Sequence, residues 1–145
     1  PIVDALLDGL GWAQNHWERD FSYIMMLQPT SPLRTSWHIR EFMSMLESRR
    51  SEALVAVSPM SEHPMECIVT QDGTYKWKYL VPPPPGSYRR QSYEGSYYFI
   101  NGAIYAATPE FLTIHSTFLV PSHTDLFEME AKYGLDIDTP EDLLR

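Results

Sequence analysis

The stretch FSYIMMLQPTSPLRTSWHIREFMSMLESRRSEALVAVS, residues 21–58, decides the fold class. It opens on a continuous apolar run, FSYIMML (21–27), with aromatic and β-branched members. Such a run reads as a buried strand of the kind found in parallel sheets. QPTSPLR (28–34) follows, and its two prolines stop strand and helix alike. Ile39, Phe42, Met43 and Leu46 then recur at helical spacing and predict a helix from about Ser36 to Arg50. EALVAVS (52–58) is a second short apolar strand. Upstream, Ile2, Leu6, Leu7, Leu10, Ala13 and Trp17 predict an amphipathic helix over about the first eighteen residues. Helix, strand, loop, helix and strand in that order define an α/β layer built on a mainly parallel sheet.

The middle of the chain breaks this rhythm. MECIVT (65–70) and YKWKYL (75–80) predict a hairpin turning at Asp72-Gly73. PPPPG (82–86) is a polyproline II stretch, either a rigid loop or a docking motif for a proline-reading domain. GAIYAAT (102–108) predicts a strand, Pro109 the first turn of a short helix, and TFLVP (117–121) another strand. Thr139, Pro140 and Asp142 carry the N-cap, N1 and N3 pattern of a helix start.

Bulk properties narrow the function classes. The length of 145 residues suits one domain, and 43% hydrophobic with 21% charged residues suits a globular chain. Cys67 is the only cysteine, so no intramolecular disulfide forms, and a reducing cytoplasm fits best. No apolar run is long enough to span a bilayer, and no basic leader with an apolar core is visible. A net charge of −8 argues against a general nucleic-acid surface but leaves room for a nucleotide substrate, which needs only a few local cations. The chain begins at Pro1 and enters an apolar pattern almost at once, which leads to the expectation that it is part of a longer protein.

Chemistry gathers at four places. In GLDIDTPEDL (134–143), Asp136 and Asp138 flank one isoleucine. On a strand they would share a face, with Ile137 turned to the core, and could hold Mg²⁺ beside substrate phosphates. Alternatively, Asp138 supports a helix N-terminus and Asp136 is a solvated strand end. Gln28, Thr30, Ser31 and Arg34 follow a buried strand, where α/β sheets bind ligands, or else form a well-made turn. Arg89, Arg90 and Gln91 offer two planar guanidinium forks and an amide, or a solvated loop. Asn101 and Gly102 offer a polar reader beside a close backbone approach, or a turn before a strand. The five histidines share no zinc-ligand spacing, and neither a P-loop nor a Gly-x-Ser-x-Gly elbow is present.

Taken in order, MLQPTSPLR, AVSPMSEHP, RRQ, FINGAIY and LDIDTPEDL resemble the successive motifs of the acylneuraminate cytidylyltransferases, from about Ile24 to Leu143. The resemblance implies a nucleotidyltransferase with a Rossmann-type layer, a mixed, mainly parallel sheet and an inserted β dimerisation element over about residues 65–95. It implies activation of a nonulosonic, sialic-type acid by CTP, with Mg²⁺ held by Asp136 and Asp138. Gln28 and Asn101 match residues that contact the sugar acid. Arg89, Arg90 and Gln91 match basic residues of the dimerisation element that reach a substrate site, and a homodimer is implied. Thr30, Ser31, Arg34 and Gly102 complete the expected substrate site, with Asp136, Asp138 and Arg89 as its catalytic members. The family's Gly- and basic-rich loop for the triphosphate has no match here. The expectation is therefore of a chain holding the sugar, metal and dimer half of the enzyme, inactive or weak by itself. Related acid sugars of the legionaminic or Kdo type, or a non-catalytic dimerisation or sugar-acid-binding module, are the alternatives.

Overall fold

The computed structural model describes residues 2–70, 76–85 and 95–144. The elements are α1 (Ile2–Trp17), β1 (Ile24–Met26), α2 (Ser36–Arg49), β2 (Ala53–Pro59), β3 (Ile68–Thr70), β4 (Trp77–Tyr79), β5 (Tyr98–Ala107), α3 (Pro109–His115) and β6 (Thr124–Glu128). The chain divides into two compact units, Pro1–Ser58 with Ile100–Arg145, and Pro59–Phe99.

The first unit holds a four-stranded sheet in the order β1-β5-β2-β6. β1 pairs antiparallel with β5, Met26 opposite Tyr105, and β2 pairs parallel with β6, Val55 opposite Leu126. Thr108 N–H donates to Glu52 O at 2.8 Å and Met60 N–H to Tyr97 O at 3.0 Å, so β5 also runs antiparallel to β2. The sheet is mixed but not mainly parallel, which corrects the sequence reading. The cause is topological. β1, β2 and β6 share one direction, as helix–strand alternation requires, but β5 runs the other way and enters between β1 and β2. The shared direction of those strands is what alternation encodes; their adjacency is not.

The central strand is β2, whose residues Ala53–Val57 are all buried. Leu54 and Ala56 face Phe42 and Leu46 of α2, while Ala53, Val55 and Val57 face Val3 of α1 and Phe111 and Leu112 of α3. Burial on both faces explains the unbroken apolar run. β1 is shorter than FSYIMML implies and only half-buried, because it lies at a sheet edge. α1 turns Val3, Leu6 and Leu7 inward, but Ile2 and Trp17, counted in its apolar stripe, are exposed.

Caps set the helix starts. Thr35 and His38 form a capping box at α2, in which His38 Nδ1 takes the Thr35 N–H at 3.1 Å. Thr108 Oγ1 accepts the Phe111 N–H at 3.1 Å and Pro109 follows at N1 of α3, as predicted. TFLVP is not a strand. Thr124 Oγ1 donates to Phe118 O at 2.6 Å and accepts the Val120 N–H at 2.9 Å, folding 118–124 into a turn. Phe118 packs its ring into the core from that turn, and the strand is Thr124–Glu128 instead.

The second unit contains the predicted hairpin, β3 against β4 with Ile68 opposite Tyr79. Its expected turn at Asp72-Gly73 lies outside the described residues. Gly86, which ends the polyproline stretch, lies outside them as well.

Candidate functional site

Three segments of the first unit converge at the end of β1: the loop 28–34, the Asn101-Gly102 break in β5, and the segment 134–138. Arg34 ties the first to the second. Its Nη1 donates to Gln28 O at 3.0 Å and to Ala103 O at 2.6 Å. The cation expected to meet a ligand thus spends one nitrogen on clamping its own loop to β5. Ile137 N–H donates to Thr30 O at 2.8 Å and ties the third segment to the first.

Gly102 takes a φ of 76°, a left-handed value inside a strand. Asn101 stabilises this break with its side chain: Oδ1 accepts the Ala103 N–H at 3.0 Å and Nδ2 donates to Ser58 Oγ at 2.9 Å. Asn101 is 3% exposed, so its carboxamide is bonded within the fold. Gly102 itself leaves space that a side chain would fill. A Cβ there would stand 2.7 Å from Gln28 Oε1 and 3.7 Å from Asp136 Oδ2. The Gln28 carboxamide and the Asp136 carboxylate therefore border one small space over the Gly102 backbone.

The two aspartates are not equivalent. Residues 135–138 form no strand, which corrects the expectation of two acids on one strand face. Asp136 is half-buried and its Oδ1 is buried with no hydrogen-bond partner. Asp138 is exposed, and its N–H donates to Asp142 Oδ2 at 3.2 Å. Asp142 Oδ2 also accepts the Thr139 N–H at 2.9 Å, completing half a capping box for the 3₁₀ turn Pro140–Leu144. The predicted helix start is present, in 3₁₀ form. The charge of Asp136 reaches Tyr105 on β5, whose hydroxyl is pushed above its ordinary pKa by burial first and by that carboxylate second.

A second orphan lies in the adjoining loop: Ser31 is 2% exposed and its Oγ has no partner. Buried polar atoms are normally satisfied. Two unsatisfied oxygens, on residues next to the Thr30–Ile137 bond, mark where a polar ligand would supply the missing partners. Oxygen donors alone, a carboxylate with an amide carbonyl, suit a hard divalent cation such as Mg²⁺. Among the described residues no cluster of three or more His, Cys, Asp or Glu exists, so any such ion would complete its shell with substrate oxygens and water. Arg89, Arg90 and Gln91 lie outside the described residues.

Sequence reasoning assigned no role to Ser58 or Gly134. Ser58, fully buried at the end of β2, receives the Asn101 amide, and Gly134 packs on its hydroxyl. The available signal was a serine closing an apolar run. An apolar cavity of about 240 Å³ on the same unit, lined by Ile100, Leu119, Val120, Pro121, Thr124 and Leu126, holds no ionisable group and offers no phosphate chemistry. No helix of the described residues is long and apolar enough to cross a membrane.

The chain is a homologue of cytidylyltransferases named for acid sugars. It is 34% identical over 125 residues, 86% of its length, to the N-acylneuraminate cytidylyltransferase of Streptococcus agalactiae serotype V, and equally so to that of serotype III. The match covers 29% of those proteins. It is 30% identical over 124 residues, 84% of its length, to the CMP-N,N'-diacetyllegionaminic acid synthase of Legionella pneumophila, 51% of which is matched. The chain thus spans less than a third of the streptococcal relatives and about half of the Legionella one. No protein-family model matches it.

Proposed function

We propose that the protein containing this chain activates a sialic-type, nonulosonic acid with CTP, giving the CMP-sugar and pyrophosphate, and that this chain contributes the sugar and metal side of the site. The observation that carries the reading is the Asp136 carboxylate, whose Oδ1 is buried without a partner and whose Oδ2 borders the Gly102 space with Gln28, on a chain homologous to named cytidylyltransferases. In the reaction the anomeric hydroxyl gives up its proton to solvent and its oxygen bonds to the α-phosphorus as the bond to pyrophosphate breaks. Gln28 orients the sugar acid from one side of the Gly102 space, and Ser31 in the same loop offers an unpartnered hydroxyl. Asn101 holds the β5 break that keeps this space open, and Arg34 fixes the loop that carries Gln28. Such fixed placement lowers the entropy lost on reaching attack geometry. Asp136, with Asp138 from the exposed side, would hold Mg²⁺, which when bound offsets phosphate charge. Arg89, Arg90 and Gln91, outside the described residues, would by the resemblance serve a substrate site of a neighbouring subunit. The hairpin unit exposes Ile68, Trp77 and Leu80 at 52%, 53% and 57%, and an aromatic-rich exposed surface supports its use as a homodimer interface.

The test is pyrophosphate release by the full-length protein from CTP and Mg²⁺, over a panel of nonulosonic acids that includes N-acetylneuraminic and legionaminic-type sugars. Asp136→Asn is expected to lower turnover by about a hundredfold or more. Release with no acid of the panel, or an Asp136→Asn variant as active as the parent, would overturn the reading.

A further inference from the structure

Ser58 lies at the end of the central strand and takes no part in the chemistry just described. Its side chain is fully buried, and its hydroxyl oxygen accepts the Asn101 Nδ2–H at 2.9 Å. Gly134 rests against the same oxygen: a Cβ on Gly134 would stand 2.7 Å from Ser58 Oγ and 3.2 Å from the Asn101 Cβ. At 2.7 Å something must shift, and the buried Ser58 hydroxyl cannot yield without disturbing its bond to Asn101. Gly134 is two residues before Asp136, whose Oδ2 stands 3.7 Å from the Cβ position of Gly102. From Gly134 to Asp136 there is little slack, since Ile137 is pinned in turn to Thr30. The acidic segment is therefore held at two points, Ser58 before Asp136 and Thr30 after it.

We propose that Ser58 is a positioning residue for Asp136: its buried hydroxyl fixes Asn101 on one side and seats Gly134 on the other, and so sets how far the Asp136 carboxylate stands from Gly102 and Gln28. The proposal deepens the function proposed above and rests on Asp136 being its working carboxylate. A glycine at 134 is needed because the serine oxygen occupies the place of its side chain. The two residues are thus coupled, and the coupling has a signature that general damage to the fold lacks. Gly134→Ala drives the segment off its seat. Removing the Ser58 oxygen as well opens the 2.7 Å obstacle and leaves the milder 3.2 Å contact with the Asn101 Cβ and an ordinary 3.4 Å contact with the Cβ of residue 58. The double variant should therefore be less impaired than Gly134→Ala alone.

The experiment uses the full-length protein with CTP present and Mn²⁺ as the probe, titrated by water-proton relaxation, alongside hydrogen exchange at the Ile137 amide. Gly134→Ala is expected to raise the half-saturating Mn²⁺ about tenfold or more and to speed Ile137 exchange, as loss of a supporting residue does at metal sites. Ser58→Ala should do the same to a smaller degree, and the double variant should lie nearer Ser58→Ala than Gly134→Ala. If Ser58→Ala does not fold, Gly134→Ala alone carries the test, and unchanged Mn²⁺ binding and Ile137 exchange in it overturn the positioning role. Wild-type Mn²⁺ binding and exchange in the single variants, with binding lost in Asp136→Asn, would overturn the positioning role and leave the proposed function standing. Mn²⁺ binding retained in Asp136→Asn would overturn the carboxylate's role, and Ile137 exchange would then decide alone whether Ser58 holds the segment. Strictly additive effects in the double variant would also overturn the coupling.

Discussion

Gly102→Ala separates the two reasons for a glycine at that position. The first is conformational. A φ of 76° places an alanine Cβ in the left-handed region, at a cost of about 1–2 kcal/mol. For a folding unit of about this size, each kcal/mol lowers the melting temperature by about 2–4 °C, so the expected loss is about 2–8 °C. The second reason is spatial. The new Cβ would stand 2.7 Å from Gln28 Oε1, the far end of a flexible side chain. Gln28 can swing away with little further loss of stability, but its carboxamide then leaves the space where the sugar acid is proposed to lie. Loss of one hydrogen bond to a charged ligand group costs about 1.5–3 kcal/mol, so KM for the acid sugar should rise about 10- to 150-fold. Thermal unfolding and steady-state kinetics of full-length Gly102→Ala, Gln28→Ala and the double variant read both effects. The melting loss should persist in the Gln28→Ala background, whereas the further rise in KM should largely vanish. An unchanged melting temperature would refute the conformational argument. A KM effect equally large without Gln28 would refute the spatial one.

His38 and Arg34 give two further tests. Burial lowers the His38 pKa from its ordinary 6.5, against an opposing pull from Glu130, and Nδ1 must be unprotonated to accept the Thr35 N–H. The unfolded chain therefore binds the proton more readily, so stability should fall as pH drops through 6.5 and level off below the folded pKa. Denaturant midpoints between pH 7.5 and about 5 should show this slope, and His38→Gln, which retains a capping acceptor, should flatten it; an equal slope in that variant would count against His38 as its source. Arg34→Ala removes the clamp on Gln28 O and Ala103 O and should cost about 1.5–3 kcal/mol by urea denaturation. A cost below about 0.5 kcal/mol, the range of an ordinary surface change, would show that the clamp does not hold the loop.

What the sequence encodes locally is what the structure retains. The helix α2, the buried strand β2, the Thr108-Pro109 helix start and the hairpin β3–β4 all follow from apolar period, caps and turn residues close in the chain. Strand adjacency does not follow, because β5 reaches its place between β1 and β2 only after an excursion of some forty residues. TFLVP misleads because a turn held by the Thr124 hydroxyl can bury Phe118 as well as a strand can. In the same way, Asp125 and Glu128 disguise a true strand whose Phe127 alone is buried.

The acid pair shows the same limit at the site. Asp136 and Asp138 look alike in LDID, and alternation on a strand would make them partners. What separates them is bonding from far along the chain. Thr30 takes the Ile137 N–H between them, while Ser58 and Asn101 lie against Gly134 before them. Asp142, by contrast, draws the backbone after Ile137 into an exposed 3₁₀ turn. One carboxylate is left with its Oδ1 buried and unpartnered and its Oδ2 bordering Gly102, and the other is exposed. An uncompensated buried oxygen lowers stability, since burial of a polar group without a hydrogen bond is unfavourable. Two such oxygens, on Ser31 and Asp136, are a cost to the fold that the ligand proposed above would offset.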